Sequence, residues 1–369
     1  MSPVKPDVEP QAQQEKRSSQ PQLANKTLSK IARMSEVSAE RKRAQGENPA
    51  EAESESEGQA DGVALRKSPK GDEQPDFFVP TLYDVGTRDS RKIMDVAVFR
   101  LSKKDHRPNA IIRYDLPDGH VQVSSGVHGM ASVWDYDIVL MAISHLTESM
   151  NRFRDGKGPK PGPTFRPHVG DVLKFCRRDN GGKQKNLISS ALDRLASTYV
   201  TIERTRKLKN KMVTIKEGEN LIAKKSVIEN AATGKVEFVE FKIADWMYRE
   251  ITEGKSPDVL TVHPDYFLID QGIGRFVYRL ARRAAGKTTA TWGFQTIYDR
   301  SGSTGSFKEF CRILRKVINA GDFPEYILKE ENGQMGPLLV MTHKNMAEAV
   351  IESPGPKDDE DETEEDERE

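Results

Sequence analysis

The run "KQKNLISSALDRLASTYVTIERTRKLKNK" (residues 183–211) concentrates two kinds of chemistry. Asn186, Ser189 and Ser190 are short hydrogen-bonding side chains, framed by Lys183, Lys185 and Arg194. Small polar groups let a helix lie deep in a major groove, where Ser and Asn reach base edges. Arg206, Lys207, Lys209 and Lys211 follow within the next stretch. Such a cluster suits backbone phosphates and makes binding salt-dependent.

Other chemistries fail on spacing. "AAGKTT" (residues 284–289) resembles the end of a phosphate loop, but position 281, where the first glycine would stand, is Ala281. The segment also follows a helical pattern and not a strand. Lys287 is therefore read as a phosphate contact of a nucleic acid or a solvated loop cation. The seven histidines never fall as H-x-H, and no G-x-S-x-G or H-E-x-x-H run occurs. The two cysteines, Cys176 and Cys311, suit neither a disulfide framework nor a structural zinc. No enzyme activity, metal or cofactor is expected.

The elements that must position the polar groups come next. "HVGDVLKFCRR", the turn "DNGGK" and the helix of the opening run make a helix-turn-helix pattern. On a wheel of about 100° per residue, Leu187, Ile188, Ala191, Leu192 and Leu195 fall inward. Asn186, Ser189, Ser190 and Ser197 fall opposite. "YVTIERT" alternates as a strand, and "KVEFVEFKI" returns after an insertion as its expected partner. Helix-turn-helix plus hairpin is a winged helix, with the cations beside its wing. Upstream, "MDVAVFRLS", "AIIRYDLP" and "HVQVSS" read as strands, with a Pro117–Asp118–Gly119 turn between the last two. "SVWDYDIVLMAISHLTESMNRF" reads as a helix with Ser132 as N-cap.

The pattern recurs. "GIGRFVYRLARRAAG" reads as a helix with Phe276, Leu280 and Ala284 inward and Arg275, Arg279, Arg282 and Arg283 prominent. "ATWGFQTIYDRSG" and "SFKEFCRILRKVINAG" read as two more helices, the last with a Ser306/Glu309 capping box and a Gly321 stop. Its polar face carries Lys308, Arg312, Arg315, Lys316 and Asn319. "EYILKEE" and "GPLLVMT" form a hairpin around Asn332–Gly333.

The expected fold is therefore α+β: two tandem winged-helix domains with disordered N- and C-terminal tails. The divisions are a tail 1–75, a first winged helix with N-terminal strands 76–255, a second winged helix 256–345, and an acidic tail 346–369. Hydrophobic residues are only 36 % of the chain, which is low enough to require long solvated segments. Within the first tail, the spacing of Leu28, Ile31 and Val37 between Asn25 and Arg43 is compatible with a weak basic amphipathic helix that could dock a partner. Net charge is zero, yet residues 76–356 hold 43 basic against 34 acidic side chains. That surplus points to a polyanion partner. No apolar run approaches about 18 residues, so no membrane span is expected. Few cysteines and no secretion signal suggest the cytoplasm.

"FFVPTLYDVGTRDSRKIMDVAVFRLSKK", "MASVWDYDIVLM", "FRPHVGDVLKFCRR" and "ALDRLASTYVTI" resemble the plasmid replication initiator protein A family of Gram-negative bacteria. The resemblance spans roughly Phe77 to His343. It implies a protein that binds double-stranded origin DNA, commonly at direct repeats, and recruits the host initiator and the replicative helicase. It also implies homodimers that repress their own promoter. A winged-helix transcription regulator without initiator activity is the alternative. A nicking, relaxase-like initiator is disfavoured by the missing metal histidines.

Overall fold

The structure is a computed structural model and describes residue 65, residues 85–254 and residues 256–347, without the side chains of residues 206 and 208. The expected tails and the segment Asn25 to Arg43 lie outside these residues, apart from Leu65 and residues 346 and 347. Leu65 bridges Ile269, and its N–H donates to Asp322.

Helix and sheet are mixed, as expected. The chain opens with β1 (Arg88–Ser90), β2 (Ile111–Leu116) and β3 (Gly119–Ser125). It continues through α1 (Tyr136–Arg154), β4 (Thr164–Phe165), α2 (Val169–Phe175) and α3 (Gly182–Ser197). Next come β5 (Thr198–Leu208), β6 (Lys211–Asn220), β7 (Ile222–Glu229), β8 (Val236–Ile243), α4 (Asp245–Thr252) and β9 (Val259–Thr261). The last part is α5 (Gly272–Ala284), β10 (Thr289–Gly293), α6 (Phe294–Ser301), α7 (Phe307–Ala320), β11 (Tyr326–Gly333) and β12 (Gly336–His343).

One order of elements occurs twice. Helix, strand, helix, helix and two strands run from α1 to β8, with β5 and β6 inserted after α3, and again from α5 to β12. Each set closes a three-stranded antiparallel sheet in which the last strand is central: β4-β8-β7 and β10-β12-β11. A separate four-stranded sheet, β2-β3-β5-β6, holds the inserted hairpin.

Local chemistry explains the helices. Ile188, Ala191, Leu192 and Leu195 of α3 are buried at helical spacing. Phe310, Cys311, Leu314 and Val317 do the same for α7. The α7 start is capped by Ser306 Oγ, which accepts from the Glu309 N–H at 3.3 Å, a contact worth about 1 kcal/mol. Gly321 ends it at φ +73°, a left-handed position that glycine takes without strain. The buried apolar residues of both halves form one cluster.

Six readings need correction. Residues 290–293 of "ATWGFQTIYDRSG" belong to strand β10, paired with β12, and the helix starts only at Phe294. Residues 94–102 form no strand. They run irregularly and are almost wholly buried; Ala97 N–H donates to the Arg300 carbonyl and Arg100 N–H to that of Ala131. A segment covered on every side has no face to alternate. β5 pairs with β3 and β6, while β8 pairs with β7 and β4, so "YVTIERT" and "KVEFVEFKI" are not partners. The α1 helix begins after Asp135 and not at Ser132; the Ser132 N–H donates to the Asp135 carboxylate, and the Asp135 backbone N–H donates to Ser132 Oγ. The β11–β12 hairpin turns at Gln334–Met335, two residues beyond Asn332–Gly333. Arg275 and Arg279 are buried, at 1 % and 0 % exposure.

Those two arginines join the halves. Arg279 Nε lies 2.6 Å from Asp89, which also accepts from Tyr136 Oη at 2.9 Å. Arg275 reaches both Asp137 oxygens at 2.7 and 2.8 Å and donates to the carbonyls of Ile269 and Phe267. Arg178 completes the Asp137 site at 2.9 Å. Fixing helices α1 and α5 against each other sets how the two repeats are presented. Burial, followed by the Asp89 charge, raises the Tyr136 phenol well above its ordinary range, so it stays a neutral donor.

Candidate nucleic-acid interface

Three sets of expected residues stand at the surface. On α3, Lys183, Asn186 and Ser190 are exposed, while Lys185 and Ser189 are half-buried. Leu187 departs from expectation. It is 45 % exposed and lies beside Asn186 on the outer face, not in the core. The wheel counted it with the inward residues, yet the fold leaves nearly half of it open to solvent.

Arg194 is also corrected. Its guanidinium forks onto Asp135 at 2.7 and 2.8 Å, with the side chain only 16 % exposed. The Asp135 hydrogen bond raises its pKa further. Arg194 therefore ties α3 to the start of α1 and leaves the outer face. Asp193 pairs with Lys225 of β7 in the same positioning role.

The second set is the tip of the β5–β6 hairpin. Lys209 and Asn210 take φ +44° and +64°, the two left-handed residues of a tight type I′ connection. Lys207, Lys209 and Lys211 are exposed around this tip. Arg206 lies on β5, and its side chain is outside the described ones. The cations crown a hairpin inserted after α3 and not the β7–β8 pair.

The third set is the outer face of α7, where Lys308, Arg312, Arg315, Lys316 and Asn319 are all exposed. Arg312 forks onto Glu309 at 2.6 and 2.8 Å. Arg315 forks onto Glu330 of β11 at 2.7 and 2.9 Å. These hydrogen bonds lower both glutamates and raise both arginines. Exposed forks of this kind hold weakly against water, so a phosphate or guanine edge can displace the carboxylate. Lys287 is exposed in the turn between α5 and β10.

Sequence reasoning missed the acids that hold these faces in place: Asp89, Asp135 and Asp137. The signal was present, because "VWDYDIVL" sets two carboxylates inside an apolar run. Such acids need buried partners. Cys176 and Cys311 are buried and form no disulfide. Among the described residues, no helix is long and apolar enough to cross a membrane, and no group of three or more His, Cys, Asp or Glu could hold a metal ion.

Comparison with known proteins adds the family. A curated protein of Wigglesworthia glossinidia brevipalpis, named "Putative replication protein", is 26 % identical over 271 residues, covering 72 % of this chain and 92 % of its own length. Two crystal structures of domains 2 and 3 of RctB superpose at 10 % identity. One has a TM-score of 0.48 over 69 % of this chain and 98 % of the other; the second has 0.46 over 68 % and 97 %. The family model described as Replication initiator protein A matches residues 88–328, from β1 into β11 and through all three exposed sets. With well over half of its length matched, the chain belongs to the replication initiator protein A family.

Proposed function

We propose that this chain is a plasmid replication initiator that binds origin duplex DNA sequence-specifically through two winged helices. The observation that carries the reading is the repeated element order, each copy presenting its third helix with a polar or cationic outer face. In the first copy, α3 offers Asn186 and Ser190 to base edges, with Lys183 at its N-terminal entrance. In the second, α7 offers Arg312, Arg315 and Asn319, with Lys308 and Lys316 beside them for phosphates. The N-terminal part of such a helix normally makes the base contacts.

The halves are fixed by the Arg275–Asp137 and Arg279–Asp89 pairs. Two readers held at a set spacing would suit two neighbouring segments of one site, and direct repeats would load several copies side by side. The reading assigns no covalent step to the protein. Recruitment of the host initiator and replicative helicase would then turn a marked origin into an opened one.

Anisotropy titration of the full chain against its candidate origin and a scrambled duplex tests the binding. The reading expects at least about a thousandfold preference for the origin at physiological salt. Equal affinities would refute it.

A further inference from the structure

The inserted hairpin is not needed to complete either repeat, and its shape has its own consequence. β3 pairs with β5 only from Thr198 to Arg204, its last rung being Gly119↔Arg204. The Thr205 N–H then donates to the Asp118 carbonyl at 2.6 Å, the last backbone bond between the hairpin and that neighbour. β5 and β6 continue as a pair through Thr205↔Thr214, Arg206↔Val213, Lys207↔Met212 and Leu208↔Lys211. A two-stranded ribbon four rungs long, about 13 Å at the rise of a strand, therefore projects beyond the sheet.

Its composition is one-sided. From Thr205 to Lys216 there is no acid, and five residues are Lys or Arg. Lys207, Lys209 and Lys211 are exposed at the end. Between them stands Met212, 69 % exposed and directly across the ribbon from Lys207. The alternation of β6 explains its direction: Val213, Ile215 and Glu217 are half-buried, while Met212, Thr214 and Lys216 face solvent. Nothing in the fold requires an apolar side chain there.

Cations that hold two phosphate strands, with an apolar side chain between them, are the parts of a minor-groove wedge. Proteins of that design insert Met, Leu, Ile, Phe or Pro at a base step, partly unstack it and bend the duplex. The one amide side chain at the tip, that of Asn210, belongs to the turn itself, and the exposed cations around it are lysines, point charges suited to phosphates and not a paired amide reader of base edges. We infer that the β5–β6 ribbon is a DNA-deforming arm that enters the minor groove beside the site read by α3, with Met212 as its wedge. The inference rests on the duplex-binding reading above and adds a mechanical role. The arm would strain the duplex where opening must begin, and it would do so without regard to sequence.

The test uses the full chain and two duplexes, candidate origin and scrambled. Both are end-labelled for energy transfer and carry 2-aminopurine at successive steps. Wild type should bend both duplexes, by roughly 20–90°, and raise 2-aminopurine fluorescence at one step per bound protein. Met212→Ala should lose most of the bend and the fluorescence rise, with affinity within about threefold of wild type. Met212→Leu should keep both signals. Unchanged melting temperatures of the variants would show that each is folded, as expected for a side chain outside the core. A wild-type complex that leaves the duplex straight would overturn the arm, and so would a Met212→Ala complex bent like wild type. Dimethyl sulfate protection lost in Met212→Ala only at guanine N7, and not at adenine N3, would put the arm in the major groove and also overturn it. Loss of preference for the origin would count against the α3 reading alone, because the bend is read on both duplexes.

Discussion

Replacing Asn186 or Ser190 by alanine isolates the α3 contribution. Both side chains are exposed on the outer face, while the buried face is Ile188, Ala191, Leu192 and Leu195. Neither substitution removes a core atom. Alanine is also the better helix former, by a few tenths of a kcal/mol, so the melting temperature should hold or rise slightly. On DNA the expectation is opposite. A good paired contact between Asn and adenine discriminates by about 1–3 kcal/mol, and each factor of ten in affinity is about 1.4 kcal/mol. Specific affinity should fall roughly 5- to 100-fold for Asn186→Ala and toward the lower end for Ser190→Ala. Affinity for random duplex should stay nearly constant, because phosphate contacts supply it. Matched gel-shift titrations on origin and scrambled duplexes, with melting curves on the same preparations, provide the readout. Full specific affinity in both variants would refute α3 as a reader and move the base contacts to Arg312, Arg315 and Asn319 of α7.

Lys207→Ala combined with Lys209→Ala should weaken origin and scrambled duplex about equally and lower the salt slope by roughly one to two; a loss confined to the origin would mean that the hairpin tip reads bases. Arg279→Ala strands Asp89 without its cation in a fully buried site, so urea unfolding should show a loss of about 3–5 kcal/mol, mostly recovered in Asp89→Asn with Arg279→Met; a cost under about 1 kcal/mol would contradict the lock between the halves. Glu250 is 8 % exposed, and burial raises its pKa despite Lys92 at 2.9 Å and the Ser90 hydroxyl at 2.7 Å. A carboxyl raised on folding favours the folded state while protonated and loses that contribution as pH rises through the folded pKa. Glu250→Gln should thus raise the melting temperature at pH 7 and not at pH 4; a gain larger at low pH would refute this.

How much of the molecule the sequence disclosed follows from the range of the forces involved. α3, α7 and the β2–β3 and β11–β12 hairpins could be read because their determinants are local: Ser306 and Gly321 are neighbours of the helix they bound, and Pro117–Asp118 sits between the strands it joins. Strand pairing was less legible. β5 alternates convincingly, but alternation names a buried face and not a partner, so its pairing with β6 was assigned instead to β8. The charges of α5 misled for a related reason. Arg279 finds Asp89 from 190 residues away, and Arg275 finds Asp137 from 138. The helix keeps Ile273, Phe276, Val277, Leu280 and Ala281 on one face and its four arginines on the other, a pattern that reads as a solvated face, and nothing local says that α1 and β1 cover its first half. On the candidate interface the cations were recognised by type, while Arg194 and Leu187 depended on what covers them in space.

The central claim is that this chain starts replication at its own origin. The direct measurement is transformation of a host with a plasmid whose only origin is the candidate region, the gene being intact, deleted, or supplied from a second replicon. Colonies should form with the intact gene and with the gene supplied separately, and should be absent with the deletion alone. Stable replication of the plasmid in the absence of the gene would contradict the account.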